Sequence, residues 1–197
     1  MKILLATTNR GKAIEIRQAL SDLPLTLMPL SDLPHPIPKV EETAKTFLDN
    51  AVLKARHYQF HSKLPVIADD SGIEVEALRG ELGIHTRRWG AGPQASDEEW
   101  ISYFLDRMKK EKNKRARFVC VIAYMDAEGV LSTFEGECRG VITENLEAEY
   151  LPGLPISSCF RPNSHSAVFS ALNIEKKNST SHRGRAVLQL RNFLARL

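Results

Sequence analysis

The chain has 197 residues, of which 43% are hydrophobic and 26% charged, values that fit one globular domain spanning 1–197 and call for no second one. Its longest apolar run, Phe118 to Met125, is too short to cross a bilayer, and the N-terminus opens on strand-like residues without a signal-peptide core, so a cytoplasmic protein is expected. A net charge of +3 makes no demand for nucleic acid, and the widely spaced Cys120, Cys138 and Cys159 fit buried thiols rather than a disulfide framework or a cysteine zinc site.

Lys2 to Ala6 reads as a strand, Thr7-Thr8-Asn9-Arg10-Gly11-Lys12 as a polar loop, and Ala13 to Leu20 as a helix. Hydroxyls, an amide, a glycine and a lysine at a helix entrance can present N–H groups and charge to a phosphate, although the Walker A spacing is absent. Leu23 to Lys39 carries five prolines and predicts an irregular connection with room for one edge strand. From Ala44 to Tyr58 the apolar positions recur every three or four residues, which predicts an amphipathic helix. Glu41 and Glu42 at its start suit the helix dipole. Asn50 and Lys54 lie four apart on another face, where they either meet solvent or line a cleft.

Leu64 to Ala68 predicts a buried strand ending in a turn at Asp69-Asp70-Ser71-Gly72. Two readings of that acidic pair stand together. Asp, Ser and Gly are ordinary turn residues, and adjacent carboxylates at a strand's carboxyl end also suit a hard cation such as Mg²⁺. Ile73 to Ala77 alternates as a second, half-exposed strand. Ser96 and Glu99 form a capping box before a helix whose apolar face is Trp100, Ile101, Phe104, Leu105 and Met108. The basic cluster from Arg107 to Arg117 predicts a solvated helix end and loop, and the want of interleaved aromatics or a reading helix speaks against a nucleic-acid patch. Phe118 to Met125 and Val130 to Ile142 predict a hairpin. Leu151 to Ser166 is rich in Pro, Ser and Gly, without periodicity, and a final helix starts near Ser181. Cations from Lys176 to Arg183 oppose the dipole of that helix, so either an anion is held there or the turn is a solvated basic one.

Lys12, Lys54, Lys177, His182 and Arg183 can neutralise a polyphosphate while the carboxylates hold Mg²⁺, the division of labour that phosphoryl transfer needs. No Ser-His-Asp or Cys-His nucleophile is evident, so attack by an activated water is the simplest chemistry.

At these residues the chain resembles the Ham1-like or inosine triphosphate pyrophosphatase family. The blocks that carry the resemblance are Thr7 to Lys12, Glu41-Glu42-Thr43, Thr46 to Ala55, Ala68-Asp69-Asp70-Ser71-Gly72, Ala116-Arg117-Phe118, Gly140 to Thr143 and Ser181-His182-Arg183. The resemblance implies an α/β fold in which an elongated mixed β-sheet with flanking helices forms two lobes around a central cleft, and a homodimer. It also implies Mg²⁺-dependent cleavage of nucleoside triphosphates, deaminated purines such as ITP, dITP and XTP first among them, to monophosphate and pyrophosphate. It makes Asp70 the general base and a metal ligand, Glu42 the other metal ligand, and Asp69 and Glu41 their support. Thr7, Thr8, Asn9, Arg10, Gly11 and Lys12 become the substrate loop, Lys54 a triphosphate contact and Ser71 a substrate contact. Lys177, His182 and Arg183 become phosphate- and base-side residues of the closing lobe.

One block departs from the family. Its pattern Gly-Phe-Gly-Tyr/Trp-Asp-Pro-x-Phe aligns with Gly153 to Phe160, so Leu154 stands where an aromatic stacks on the base and Ser157 where an aspartate hydrogen-bonds it. Stacking is worth about 1–3 kcal/mol per base, and altered or relaxed base selectivity is therefore expected. The alternative is a catalytically weak nucleotide-binding or sensor protein that has kept the fold.

Overall fold

The computed structural model describes residues 1–197. Six strands form one mixed sheet in the order β2-β1-β3-β4-β5-β6, with β1 at Lys2–Ala6, β2 at Thr26–Pro29, β3 at Val66–Val75, β4 at Arg115–Met125, β5 at Leu131–Ile142 and β6 at Phe160–Pro162. Parallel pairing joins β1 to β2 and β3, and antiparallel pairing continues from β3 to β6. The edge strand in the proline-rich connection and the β4–β5 hairpin match the sequence reading. Asp126 closes that hairpin by accepting from the Val130 N–H at 2.7 Å.

Helix α1 spans Arg10–Ala19, three residues earlier than the periodicity suggests. Asn9 caps it, its Oδ1 accepting from the Lys12 N–H at 3.0 Å. Helix α2, Phe47–Ser62, starts three residues later than expected because Thr46 is its cap. Glu41 and Glu42 therefore lie outside the helix, and the dipole explanation for them fails. Helix α3, Asp97–Lys109, carries the anticipated capping box. The terminal segment is two helices, α4 at Ile174–Thr180 and α5 at His182–Leu194, with Ser181 between them as shared cap.

The main correction concerns β3. The sequence reading breaks it at a turn, yet it runs unbroken through Asp69, Asp70 and Ser71, paired with β4 from Val66↔Met125 to Val75↔Ala116. A full-length partner satisfies every ladder group on that side, which outweighs the turn preference of Asp, Ser and Gly. Gly72 serves a crossing: a Cβ there would lie 2.7 Å from Thr86 Oγ1, on the 3-10 turn laid over the strand.

Three apolar clusters fill the molecule. Helix α2 covers Leu4, Ala6, Val66 and Ala68 on one face, while α1 and α5 cover Ile3, Leu5, Ile67 and Ile122 on the other. Helix α3, with the turns at 155–158 and 169–171, packs on Ile73, Val75 and Phe160. Its buried Trp100, Phe104 and Met108 each contribute about 1.5–3 kcal/mol. Of the basic cluster, Arg115 and Arg117 belong to β4 rather than to a loop, and Arg117 is held by Glu74 at 2.7 Å and Glu137 at 3.1 Å. The three cysteines are free and buried. No helix is long and apolar enough to cross a membrane.

Candidate active site

Strand β1 stops at Ala6, opposite Ala68, while β3 runs on. Asp69, Asp70 and Ser71 therefore sit just past the carboxyl end of a parallel neighbour, where open α/β sheets bind ligands. A cleft of about 650 Å³ opens there.

Side chains alternate along a strand, and this separates the two aspartates. Asp70 shares the α2 face of β3: Lys54 Nζ lies 2.9 Å from its Oδ1, and Asn50 Nδ2 donates to its Oδ2 at 3.3 Å. Asp69 takes the α1/α5 face, 2.8 Å from Lys12 Nζ and 3.8 Å from Arg183 Nε. Their titration diverges accordingly. Burial pushes Asp70 above the ordinary carboxylate range, and Lys54 and Lys12 only partly offset it. Burial acts upward on Asp69 too, but Lys12 and Arg183 outweigh it and hold that carboxyl well below its usual value. Pairs of acids pushed apart in this way mark separate chemical roles. Asp69 is thus no partner of Asp70 in a shared metal seat, a correction to the sequence reading.

Glu42 approaches from the segment before α2, and its Oε1 lies 3.4 Å from Lys54 Nζ. Asp70 and Glu42 thus share one cation, the Lys54 ammonium. No group of three or more His, Cys, Asp or Glu side chains could hold a metal. Two carboxylates suit a Mg²⁺-like ion that fills its remaining positions with phosphate oxygens and water. Glu41 borders the same cleft but is exposed and holds no side-chain partner.

The anion implied by the cations before α5 is Glu15, which sequence reading missed. It accepts from Lys177 Nζ at 2.6 Å and from Arg183. Burial raises its pKa, yet Arg183 and Lys177 prevail and lower it overall. Its signal was its place three residues after Lys12 on one helix face. Lys12, Lys54, Lys177 and Arg183 are thus each paired with a carboxylate among Glu15, Glu42, Asp69 and Asp70, while Lys39, Arg87, Arg88, Glu41 and Asp97 also line the cleft and leave it one positive charge in excess. His182 adds no charge. Burial, then Arg183 and Lys12, drive its pKa well below the usual value, and its ring stacks on Phe118 at 4.5 Å. This corrects its placing among the groups that neutralise phosphate.

Thr7, Thr8, Asn9, Lys12, Lys54, Ser71, Leu154, Ser157, Lys177, His182 and Arg183 all line the cleft, as expected. Ser71 Oγ accepts from Arg183 at 3.0 Å. Arg10 and Gly11 do not line it. Arg10 is exposed on the first turn of α1, and Gly11 is buried where its N–H donates to Pro152 O at 3.1 Å. A Cβ at Gly11 would sit 2.6 Å from Leu154 Cγ, so this glycine admits the 152–154 loop. At the same end Ser157 Oγ donates to Leu154 O at 2.6 Å, and Trp100, Phe118 and Phe169 supply the aromatic wall.

A family model described as "Ham1 family" matches residues 3–193. The chain is 36% identical over 193 residues to the dITP/XTP pyrophosphatase of Leptospira interrogans, covering 98% of this chain and 96% of that protein. It is 38% identical over 192 residues to the dITP/XTP pyrophosphatase of Thermus thermophilus, with 96% and 90% covered. A HAM1 protein from Coxiella burnetii superposes with a TM-score of 0.84 at 32% identity over all of both chains. The Staphylococcus aureus Ham1 protein gives 0.82 at 34% identity, covering 99% of this chain and 98% of that one. With a match that spans all six strands and every segment lining the cleft, the chain belongs to the Ham1 family.

Proposed function

We propose that this protein hydrolyses purine nucleoside triphosphates of the dITP and XTP class to the monophosphate and pyrophosphate. The observation that carries the proposal is the pairing of Asp70 and Glu42 around one cationic position, with Lys12, Lys177 and Arg183 across the same cleft. The relatives' activity as dITP/XTP pyrophosphatases supports it.

Asp70 takes the proton of the attacking water, a role open to a carboxylate that lines the cleft beside the lysines that would hold the phosphates. The bond between the α- and β-phosphoryl groups breaks, and pyrophosphate leaves with the bridging oxygen. Lys12 and Lys54 exchange carboxylate partners for phosphate oxygens. Lys177 and Arg183, held in place by Glu15, contact phosphate oxygens at the far end. A divalent ion such as Mg²⁺ would be held by Asp70 and Glu42 and would supply charge neutralisation on the phosphates.

At the base end, Leu154 packs over α1 and the Ser157 hydroxyl proton is committed to a backbone carbonyl. Neither an aromatic nor a carboxylate from this segment reads the ring, which supports relaxed base selectivity. Phe160, fully buried, does not line the cleft, whereas Phe169 does. The test is a panel of inosine, xanthosine, adenosine and guanosine triphosphates assayed for pyrophosphate with and without Mg²⁺. Metal-dependent release from the deaminated purines is expected. Absence of release from every triphosphate overturns the proposal and favours the sensor reading.

A further inference from the structure

Residues 33–46 join the 3-10 turn after β2 to α2 without regular structure. They run as a strap across α2 and carry Glu42 on the way. Pro34, Pro36 and Pro38 bias the backbone towards extended conformations, and half-buried Leu33, Ile37 and Val40 rest on the α2-side core. Three polar contacts then fix the strap to one stripe of the helix. Asn50 Oδ1 accepts from the Ala44 N–H at 3.1 Å, Lys54 Nζ reaches Glu42 at 3.4 Å, and His57 Nε2 lies 2.7 Å from Pro38 O. Positions 50, 54 and 57 are neighbours on a helix face, and they meet 44, 42 and 38 in antiparallel order. Asn50 and Lys54 also touch Asp70. One stripe of α2 therefore sets the positions of both carboxylates.

His57 differs from the other two because its contact is with the strap alone. A carbonyl only accepts, so Nε2 carries the hydrogen, as it does in either charge state of the ring. His61 and Tyr58 pack edge-on against that ring at 4.8 and 5.1 Å and hold its plane. Without this bond, the backbone hydrogen bonds that tie the strap to α2 are those at Ala44 and Thr46, both between Glu42 and the helix start, and on its other side the segment that presents Glu42 is held against α2 by apolar packing.

We propose that His57 is a positioning residue for the metal centre: by tying Pro38 to α2 it fixes where the strap presents Glu42. This rests on the reading of Glu42 as a cation-holding carboxylate, and the experiment separates the two. Mn²⁺ binding to the full chain is measured by water-proton relaxation for wild type, His57→Ala, His57→Gln, Glu42→Gln and the Ala/Gln double variant, alongside amide exchange over 36–44. His57→Ala should weaken Mn²⁺ binding about tenfold, the scale of other supporting contacts around metal ligands, and speed exchange near Glu42. His57→Gln, which keeps an N–H donor at similar reach, should restore both, and the double variant should be no weaker than Glu42→Gln. Unchanged affinity in His57→Ala beside a weakened Glu42→Gln overturns the positioning role. So does a His57→Gln variant as weak as alanine. Unchanged affinity in Glu42→Gln overturns the reading of Glu42 itself.

Discussion

Asp69 and Asp70 are consecutive in the chain and project from opposite faces of β3, one to Lys12 and Arg183, the other to Lys54 and Asn50. The repulsion expected of adjacent acids is relieved by the strand's own alternation, each carboxylate meeting its own cations.

The two aspartates should respond differently to the same substitution. Asp70→Asn is expected to lower turnover by about 10²–10⁴, the usual contribution of a general base, with nucleotide binding still measurable and Tm nearly unchanged, because Lys54 keeps Glu42. Asp69→Asn leaves Lys12 without its buried partner, while Arg183 keeps Glu15, at a cost of about 3–5 kcal/mol, or a Tm lower by roughly 10 °C. Calorimetry and pyrophosphate release on both variants check this. Equal thermal losses would refute the separation.

Stability should fall in two stages on acidification. His182 is held neutral in the fold, with a pKa well below its usual 6.5, so once pH drops below that value the unfolded chain binds a proton that the fold does not. Glu15 and Asp69, lowered from 4.5 and 3.8, contribute stability that is complete above those values and is lost as pH falls through them towards the folded pKa values. Asp70, raised from 3.8, acts in the opposite sense: its ionisation costs stability as pH rises past that value. Tm measured from pH 3 to 8 should show a first limb that His182→Gln flattens and a second that Glu15→Gln flattens.

Base selectivity should be recoverable at the divergent loop. Ser157→Asp restores a carboxylate for ring N–H groups, and charge-assisted bonds are roughly twice as strong as neutral ones. The ratio of kcat/KM for inosine over adenosine triphosphate should rise about tenfold. An unchanged ratio would place base reading elsewhere in the cleft.

Helix α5 lies directly on β5 at Gly136, where a Cβ would come within 2.8 Å of the Ala186 backbone nitrogen and also meet the His182 carbonyl. Gly136→Ala should cost about 1–3 kcal/mol through overpacking and raise KM by displacing His182 and Arg183. Unfolding and steady-state kinetics on the one variant report both effects.

Much of this molecule follows from local pattern. Strand β1, the capping box at Ser96, the β4–β5 hairpin and the apolar stripes of α2 and α3 are legible because propensity and periodicity act within a few residues. The residue types at the site, and their resemblance to Ham1 proteins, are legible for the same reason. Tertiary structure alone decided that β3 continues through its acids, since only pairing with β4 outweighs their turn preference. It decided that Glu15, 168 positions before Arg183, is the anion those late cations require, because burial makes an unpaired charge too costly to leave alone. It also decided that the His182 pKa is lowered, since burial and the neighbouring Arg183 and Lys12 disfavour its charged form, and no count of charges along the chain contains that fact.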